Sequence, residues 1–311
     1  MLLIQSLTPS SQQVYRQAAL KLAYFHRLLY NCDNFFPASV VTISLFIPHL
    51  VNLGFSPATI QTYVTAISFF NKCLGAHDLL SSFVIRKLLT AVQRNTQPAS
   101  QRSPITLSTL YSLVLSTKVS LPPYKAALFS AAYLITFHAF LRIGEITCRS
   151  KKQSSTVLQF QDCTLVPSTL GACSLQITLR HFKGNTGCQP FSIVIPSSPD
   201  PRFCPVSHFQ NFTALRGSTP GPLMVWQDGS PLSRSSFSKQ LQATLSHANI
   251  HTPNIKAHSF RIGAATTACA LGFSDQDIQK MGRWKSDAFK RYIRIPTFHT
   301  PQYMPHPYLN S

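Results

Sequence analysis

A chain of 311 residues that is 44% hydrophobic can bury one large core or two ordinary ones without disulfide staples, which excludes a disordered protein. Its 28 Lys and Arg against 9 Asp and Glu leave a formal charge of +19, an excess that points first to nucleic acid and next to anionic membrane. The ~18 uninterrupted apolar residues of a membrane span are missing, and Met1-Leu2-Leu3-Ile4-Gln5 does not read as a secretory leader.

Helical periodicity begins behind Thr8-Pro9-Ser10-Ser11 and runs to about Tyr30, with Tyr15, Ala19, Leu22, Phe25 and Leu29 on one side. Pro37-Ala38-Ser39 opens a second helix that stops at Leu53-Gly54, and Ser56-Pro57 opens a third that runs to Leu74-Gly75. A fourth spans about Leu80 to Gln93, so residues 1–94 are expected to be a helical domain. Residues 95–104, Asn-Thr-Gln-Pro-Ala-Ser-Gln-Arg-Ser-Pro, have no periodicity and read as a linker.

Residues 105–295 read as a mixed domain. Helices are predicted at Leu107–Ser116 and Pro123–Phe140, then short strands at Val157–Gln159, Ser174–Arg180 and Pro190–Ile195. Helices return at Val206–Leu215, Ser235–Ala248, Ser259–Leu271, Asp275–Met281 and Ser286–Ile293. The expected fold is mainly α with a small antiparallel β-sheet, and the proline-rich residues 296–311 are expected to form a tail. The eight cysteines, Cys32, Cys73, Cys148, Cys163, Cys173, Cys188, Cys204 and Cys269, lack zinc-ligand spacing and read as reduced packing residues of an intracellular protein.

The basic residues concentrate toward the end of the chain, with six between Lys280 and Arg294. Four segments there and upstream carry groups suited to phosphate chemistry. Arg142, in Leu141-Arg142-Ile143-Gly144-Glu145, is either an ion-pair partner of Glu145 or a fork for a phosphate. Lys183 lies on a Gly- and Asn-bearing hairpin turn, where it is solvated unless the hairpin reaches a DNA backbone. His258-x-x-Arg261 places both side chains on one face at a helix start, as a phosphate clamp or as a locally satisfied His beside a surface Arg. Tyr292, eight residues after Trp284, is either a core aromatic or a tyrosine aimed into a basic field that lowers the cost of its anion.

Taken in order, Arg142, Lys183, His258-x-x-Arg261, Trp284 and Tyr292 resemble the active-site set of the tyrosine recombinase (phage-integrase-like) superfamily. Pro57 to Ser68 and Gly282 to Arg294 look most like recombinases of eukaryotic mobile elements. The resemblance implies a helical core-binding domain, a catalytic domain and a site-specific recombinase or integrase acting on double-stranded DNA through a 3′-phosphotyrosyl intermediate. Tyr292 would be the nucleophile, Arg142 and Arg261 the phosphate ligands and Lys183 the general acid, while His258 would assist proton transfer at Tyr292 and bind the phosphate. Glu145 would orient these groups, and no cofactor or metal would be needed. Members commonly hold His or Trp nine positions before the tyrosine; here that position is Arg283, so either Trp284 or Arg283 would supply the phosphate donor. A homo-oligomer on DNA and, for a eukaryotic protein, a nuclear location are further expectations. The alternatives are a catalytically inactive DNA-binding protein derived from a mobile-element recombinase, and a type IB topoisomerase.

Overall fold

A computed structural model describes residues 2–95, 102–167, 173–185 and 189–294. The expected tail, residues 96–101 of the expected linker, and Cys188 lie outside the described residues. The chain divides into two compact units, 1–100 and 101–311.

The first unit is helical: α1 (Leu2–Gln5), α2 (Pro9–Tyr30), α3 (Val40–Asn52), α4 (Pro57–Cys73) and α5 (Phe83–Arg94), with a 3₁₀ turn at Leu79–Ser81. The helix starts follow from side-chain caps, since the hydroxyls of Thr8, Ser39 and Ser56 accept from the backbone N–H three residues on. Leu22, Ile43, Phe46, Ile47, Ile60, Val64 and Ile67 form its core. Inside that core Asn71 pairs with both backbone groups of Ala38, accepting from its N–H at 2.9 Å and donating to its carbonyl at 2.8 Å, which leaves neither buried amide unsatisfied.

The second unit is built on α7 (Pro123–His138), in which every residue from Ala126 to Phe137 is buried. A helix apolar on all sides must be central, and α7 is covered by α6 (Leu107–Ser120), α9 (Pro205–Arg216) and α11 (Ser259–Ala270). Short α8 (Ile143–Ile146), α10 (Arg234–His247), α12 (Asp275–Gly282) and a 3₁₀ segment at Asp287–Tyr292 complete the helical part. Gly263 allows α11 to lie against Ile105, because a Cβ there would fall 1.9 Å from the Ile105 carbonyl oxygen.

The sheet is antiparallel in the order β1 (Cys163–Pro167), β2 (Cys173–Leu179), β3 (Phe191–Pro196), with Leu175 opposite Ile195 and Leu179 opposite Phe191. Along β2, Leu175, Ile177 and Leu179 turn inward at every second position, which fixes the register against the helical core.

Two predicted elements are corrected. Val157–Gln159 is not a strand of the sheet: Val157 and Leu158 are both buried, without strand alternation, and Leu158 donates to the carbonyl of Glu145 and accepts from the N–H of Leu223. The first strand begins instead at Cys163, after a 3₁₀ turn at Phe160–Asp162. The last predicted helix is 3₁₀, not α; of residues 285–292 only Phe289 is buried, so little apolar surface is available to hold a longer helix.

Candidate active site

The site starts where α7 ends. Phe140 takes a left-handed φ of 52° and Leu141 N–H returns to the carbonyl of Thr136 at 2.9 Å, closing the helix. Arg142 then caps α8. Its backbone N–H donates to Glu145 Oε2 at 2.9 Å and its Nη1 to Oε1 at 3.0 Å, so one carboxylate fixes both the main chain and the guanidinium of Arg142. Glu145 is buried, and its Oε2 also accepts from Arg283 Nη2 at 2.8 Å.

Arg261 enters from the first turn of α11 and is the largest fully buried side chain of the described residues. Its Nη1 donates to the carbonyl of Phe140 and its Nη2 to that of Gly282, while its guanidinium carbon lies 4.1 Å from the centre of the Trp284 ring. Burial, with Arg142 and Arg283 nearby, pushes its pKa down to about 9, so it stays charged at neutral pH.

Tyr292 is half-buried at the end of the 3₁₀ segment, with the His258 and Trp284 rings 5.2 Å and 5.1 Å from its own. The Arg261 guanidinium is 6.0 Å away, and Thr266 Oγ1 holds the chain at this point by donating to the Tyr292 carbonyl at 3.2 Å. His258 sits just before α11, and its pKa is pushed down to about 4 by burial and then by Arg102, Arg261, Arg142 and Arg234. It is therefore neutral at pH 7, which leaves one ring nitrogen as a hydrogen-bond acceptor. The buried Trp284 Nε1 has no hydrogen-bond partner among the described residues.

Lys183 is exposed on the turn after β2, where Gly184 has a φ of 92° and Asn185 N–H donates to Phe182 at 3.1 Å. Arg180 anchors the end of that strand to the buried Asp162 at 2.8 Å. Lys183 lines a groove of about 490 Å³ together with Phe182, Phe191, Lys280, Arg283, Trp284 and Lys285.

The geometry therefore gathers Arg142, Glu145, Arg261, Arg283, His258, Trp284 and Tyr292 into one connected set, with Lys183 on the adjoining groove. Arg283, one of the two expected phosphate donors, has a side chain 2% exposed that donates to Glu145 and to backbone carbonyls. Sequence reading missed Arg234 and Arg102, whose charges reach His258, and Lys285, which packs along Gly184. A Lys directly after Trp284 was a signal for the last; nothing local marked the first two.

A titration prediction follows from His258 and from His138, whose pKa burial also pushes down to about 4 from 6.5. Both are neutral in the fold but take up a proton in the unfolded chain, so stability is complete above about pH 6.5 and is lost as pH falls toward 4. Thermal melting between pH 7.5 and 4.5 should show a falling midpoint, and His138→Leu should flatten the fall. A midpoint independent of pH over this window would contradict it.

No protein-family model and no curated protein matches the chain. Solved structures do. XerH site-specific recombinase bound to a palindromic difH substrate superposes with a TM-score of 0.63 at 18% identity, covering 91% of this chain and 76% of that one. A lambda integrase tetramer bound to a Holliday junction gives a TM-score of 0.62 at 12% identity over 93% and 72%. The Tn1549 transposon integrase in complex with circular intermediate DNA gives 0.54 at 15% over 90% and 96%. Identities this low speak for architecture alone, and the architecture is clear: mainly helical with a small three-stranded antiparallel sheet, this chain has the tyrosine recombinase fold.

Proposed function

We propose that the protein is a DNA strand transferase of the tyrosine recombinase type, with residues 1–94 as a core-binding domain and 105–295 as the catalytic domain. The observation that carries the reading is the half-buried Tyr292 ring bounded by a neutral His258, Trp284 and the buried cation Arg261. A core tyrosine has no need of a depressed His and a buried Arg as neighbours.

In the proposed reaction the Tyr292 oxygen attacks a DNA phosphorus while His258 takes the phenolic proton. The Tyr–O–P bond forms, the bond to the 5′-oxygen breaks, and Lys183 supplies the proton that this oxygen needs to leave. Arg142 and Arg261 bear the charge gathering on the non-bridging oxygens, each donor contributing about 3 kcal/mol of transition-state stabilisation. Trp284 Nε1, buried without a partner among the described residues, suits a further donor. A phosphate reaching Arg261 replaces one of its carbonyl contacts.

The partner is double-stranded DNA, in keeping with the charge of +19. Solved structures with this fold include a lambda integrase dimer on a core site and a tetramer on a Holliday junction, which supports assembly of this chain as a homo-oligomer on DNA.

The test uses duplexes of randomised sequence in which bridging 5′-oxygens are replaced by sulfur, a leaving group that needs no proton and does not rejoin. Wild type should accumulate a covalent adduct on them; DNA binding without adduct would exclude the strand transferase. Lys183→Ala should slow adduct formation with oxygen in the bridge by about 10²–10⁴-fold, the usual size of a general-acid contribution, and leave the sulfur substrate nearly unaffected. An equal loss on both would remove Lys183 from the acid role.

A further inference from the structure

Arg283 occupies the position at which the recombinase pattern places a phosphate donor, yet it faces inward. We infer that Arg283 is a positioning residue, a buried bracket that holds Arg142 through Glu145, the Lys183 turn through Phe182, and Trp284 through its own backbone. The inference rests on the recombinase reading of the site.

Each arm of the bracket is visible. Arg283 Nη2 donates to Glu145 Oε2 at 2.8 Å, and the same carboxylate holds the Arg142 N–H at 2.9 Å and its Nη1 at 3.0 Å. Nη1 and Nη2 reach the carbonyls of Ala139 and Phe140 at 3.3 Å and 3.2 Å, and Arg261 donates to the Phe140 carbonyl as well. The two phosphate-binding arginines of the proposed reaction are thus both tied to groups that Arg283 touches. On its other side the Arg283 guanidinium lies 5.8 Å from the Phe182 ring and 5.7 Å from the Phe191 ring, and Phe182 immediately precedes Lys183.

The backbone adds the third arm. Arg283 takes a left-handed φ of 54°, its N–H donates to the carbonyl of Lys280, and Trp284 N–H donates to that of Gln279 at 3.0 Å. That turn ends α12 and aims the indole across Arg261. Gly282 is required there, because a Cβ would fall within 1.4 Å of the Trp284 ring.

A phosphate-ligand role fits these facts poorly. Arg261 is as deeply buried and also holds two carbonyls, but Arg283 Nη2 is already paired with the Glu145 carboxylate at 2.8 Å, an anion that a phosphate would have to displace. Stability is also a weak reason for keeping such a group, since desolvation offsets most of the Coulombic gain of a buried Arg–Glu pair. Geometric specification of the groups around it is the role that remains.

Arg283→Met, Arg283→Lys, Glu145→Gln and the double variant Arg283→Met/Glu145→Gln separate the alternatives. Two quantities are measured: the saturating rate of adduct formation on the sulfur-bridged pool, and the slope of log affinity against log salt for a mixed-sequence duplex. The bracket predicts that Arg283→Met loses about 10–100-fold in rate, the size found for groups that orient others. Arg283→Lys, which keeps a charge beside Glu145, should recover part of that rate. The salt slope should stay that of wild type, and the double variant should lose less than the product of the two single losses, because both act on the same carboxylate. A slope shallower by about 0.9, as loss of one phosphate contact produces, would overturn the inference. So would an unchanged rate, or a multiplicative loss in the double variant. If Arg283→Met fails to fold, Arg283→Lys and Glu145→Gln decide by the same rate and slope. Wild type that binds but forms no adduct would overturn the recombinase reading itself; wild-type adduct with a shallower slope in the variant would overturn only the bracket.

Discussion

Tyr292→Phe is expected to abolish covalent adduct formation on sulfur-bridged DNA, a loss of roughly 10⁴-fold or more, while affinity for duplex stays within about tenfold. Phe keeps the ring that packs beside His258 and Trp284 and removes only the oxygen that would attack. The surrounding arrangement does not depend on that oxygen, because Thr266 holds the segment through the Tyr292 carbonyl and Phe289 anchors it by burial. Loss of adduct with retained fold and binding is therefore a statement about chemistry. Adduct persisting in Tyr292→Phe, read by a denaturing gel, would assign the nucleophile elsewhere.

Glu145→Ala is expected to cost about 3 kcal/mol of stability and most of the cleavage activity. The carboxylate is buried between Arg142, whose side chain is 21% exposed, and Arg283, at 2%. Removing it leaves one buried guanidinium unpaired and another released toward solvent, and breaking a buried pair from one side is far costlier than never having formed it. For a unit of this size the thermal midpoint should fall by on the order of 10 °C. Glu145→Gln, which keeps the shape and one acceptor, should lose less. A Glu145→Ala protein melting with wild type would mean that the pair holds nothing in place.

The helices of both units were legible because their causes are local. Ser and Thr caps with apolar residues at helical spacing mark α2, α3 and α4 in a few residues each, and Pro at the first position adds to the signal in α2 and α4. The first strand was missed because Val157 and Leu158 form an apolar pair where the true strand, Cys163–Pro167, is only partly buried. Leu158 is instead held by backbone hydrogen bonds to Glu145 and Leu223, which no short window around Val157 contains.

The site divides in the same way. His258-x-x-Arg261 was readable as a unit because one helix turn fixes it. Arg283 was not: a left-handed φ turns it inward, toward carbonyls at the end of α7 and a carboxylate on α8 that lie far from it in the chain. Residue types marked groups suited to phosphate chemistry, but not the contacts that Arg283 makes with Glu145 and the Ala139 and Phe140 carbonyls.

The atom through which the proposed intermediate joins protein to DNA can be identified directly. Adduct trapped on the sulfur-bridged pool, digested with protease and nuclease and read by mass spectrometry, should give one peptide carrying a nucleotide at Tyr292, linked through its 3′-phosphate. Linkage through a 5′-phosphate, or to any other residue, would contradict it.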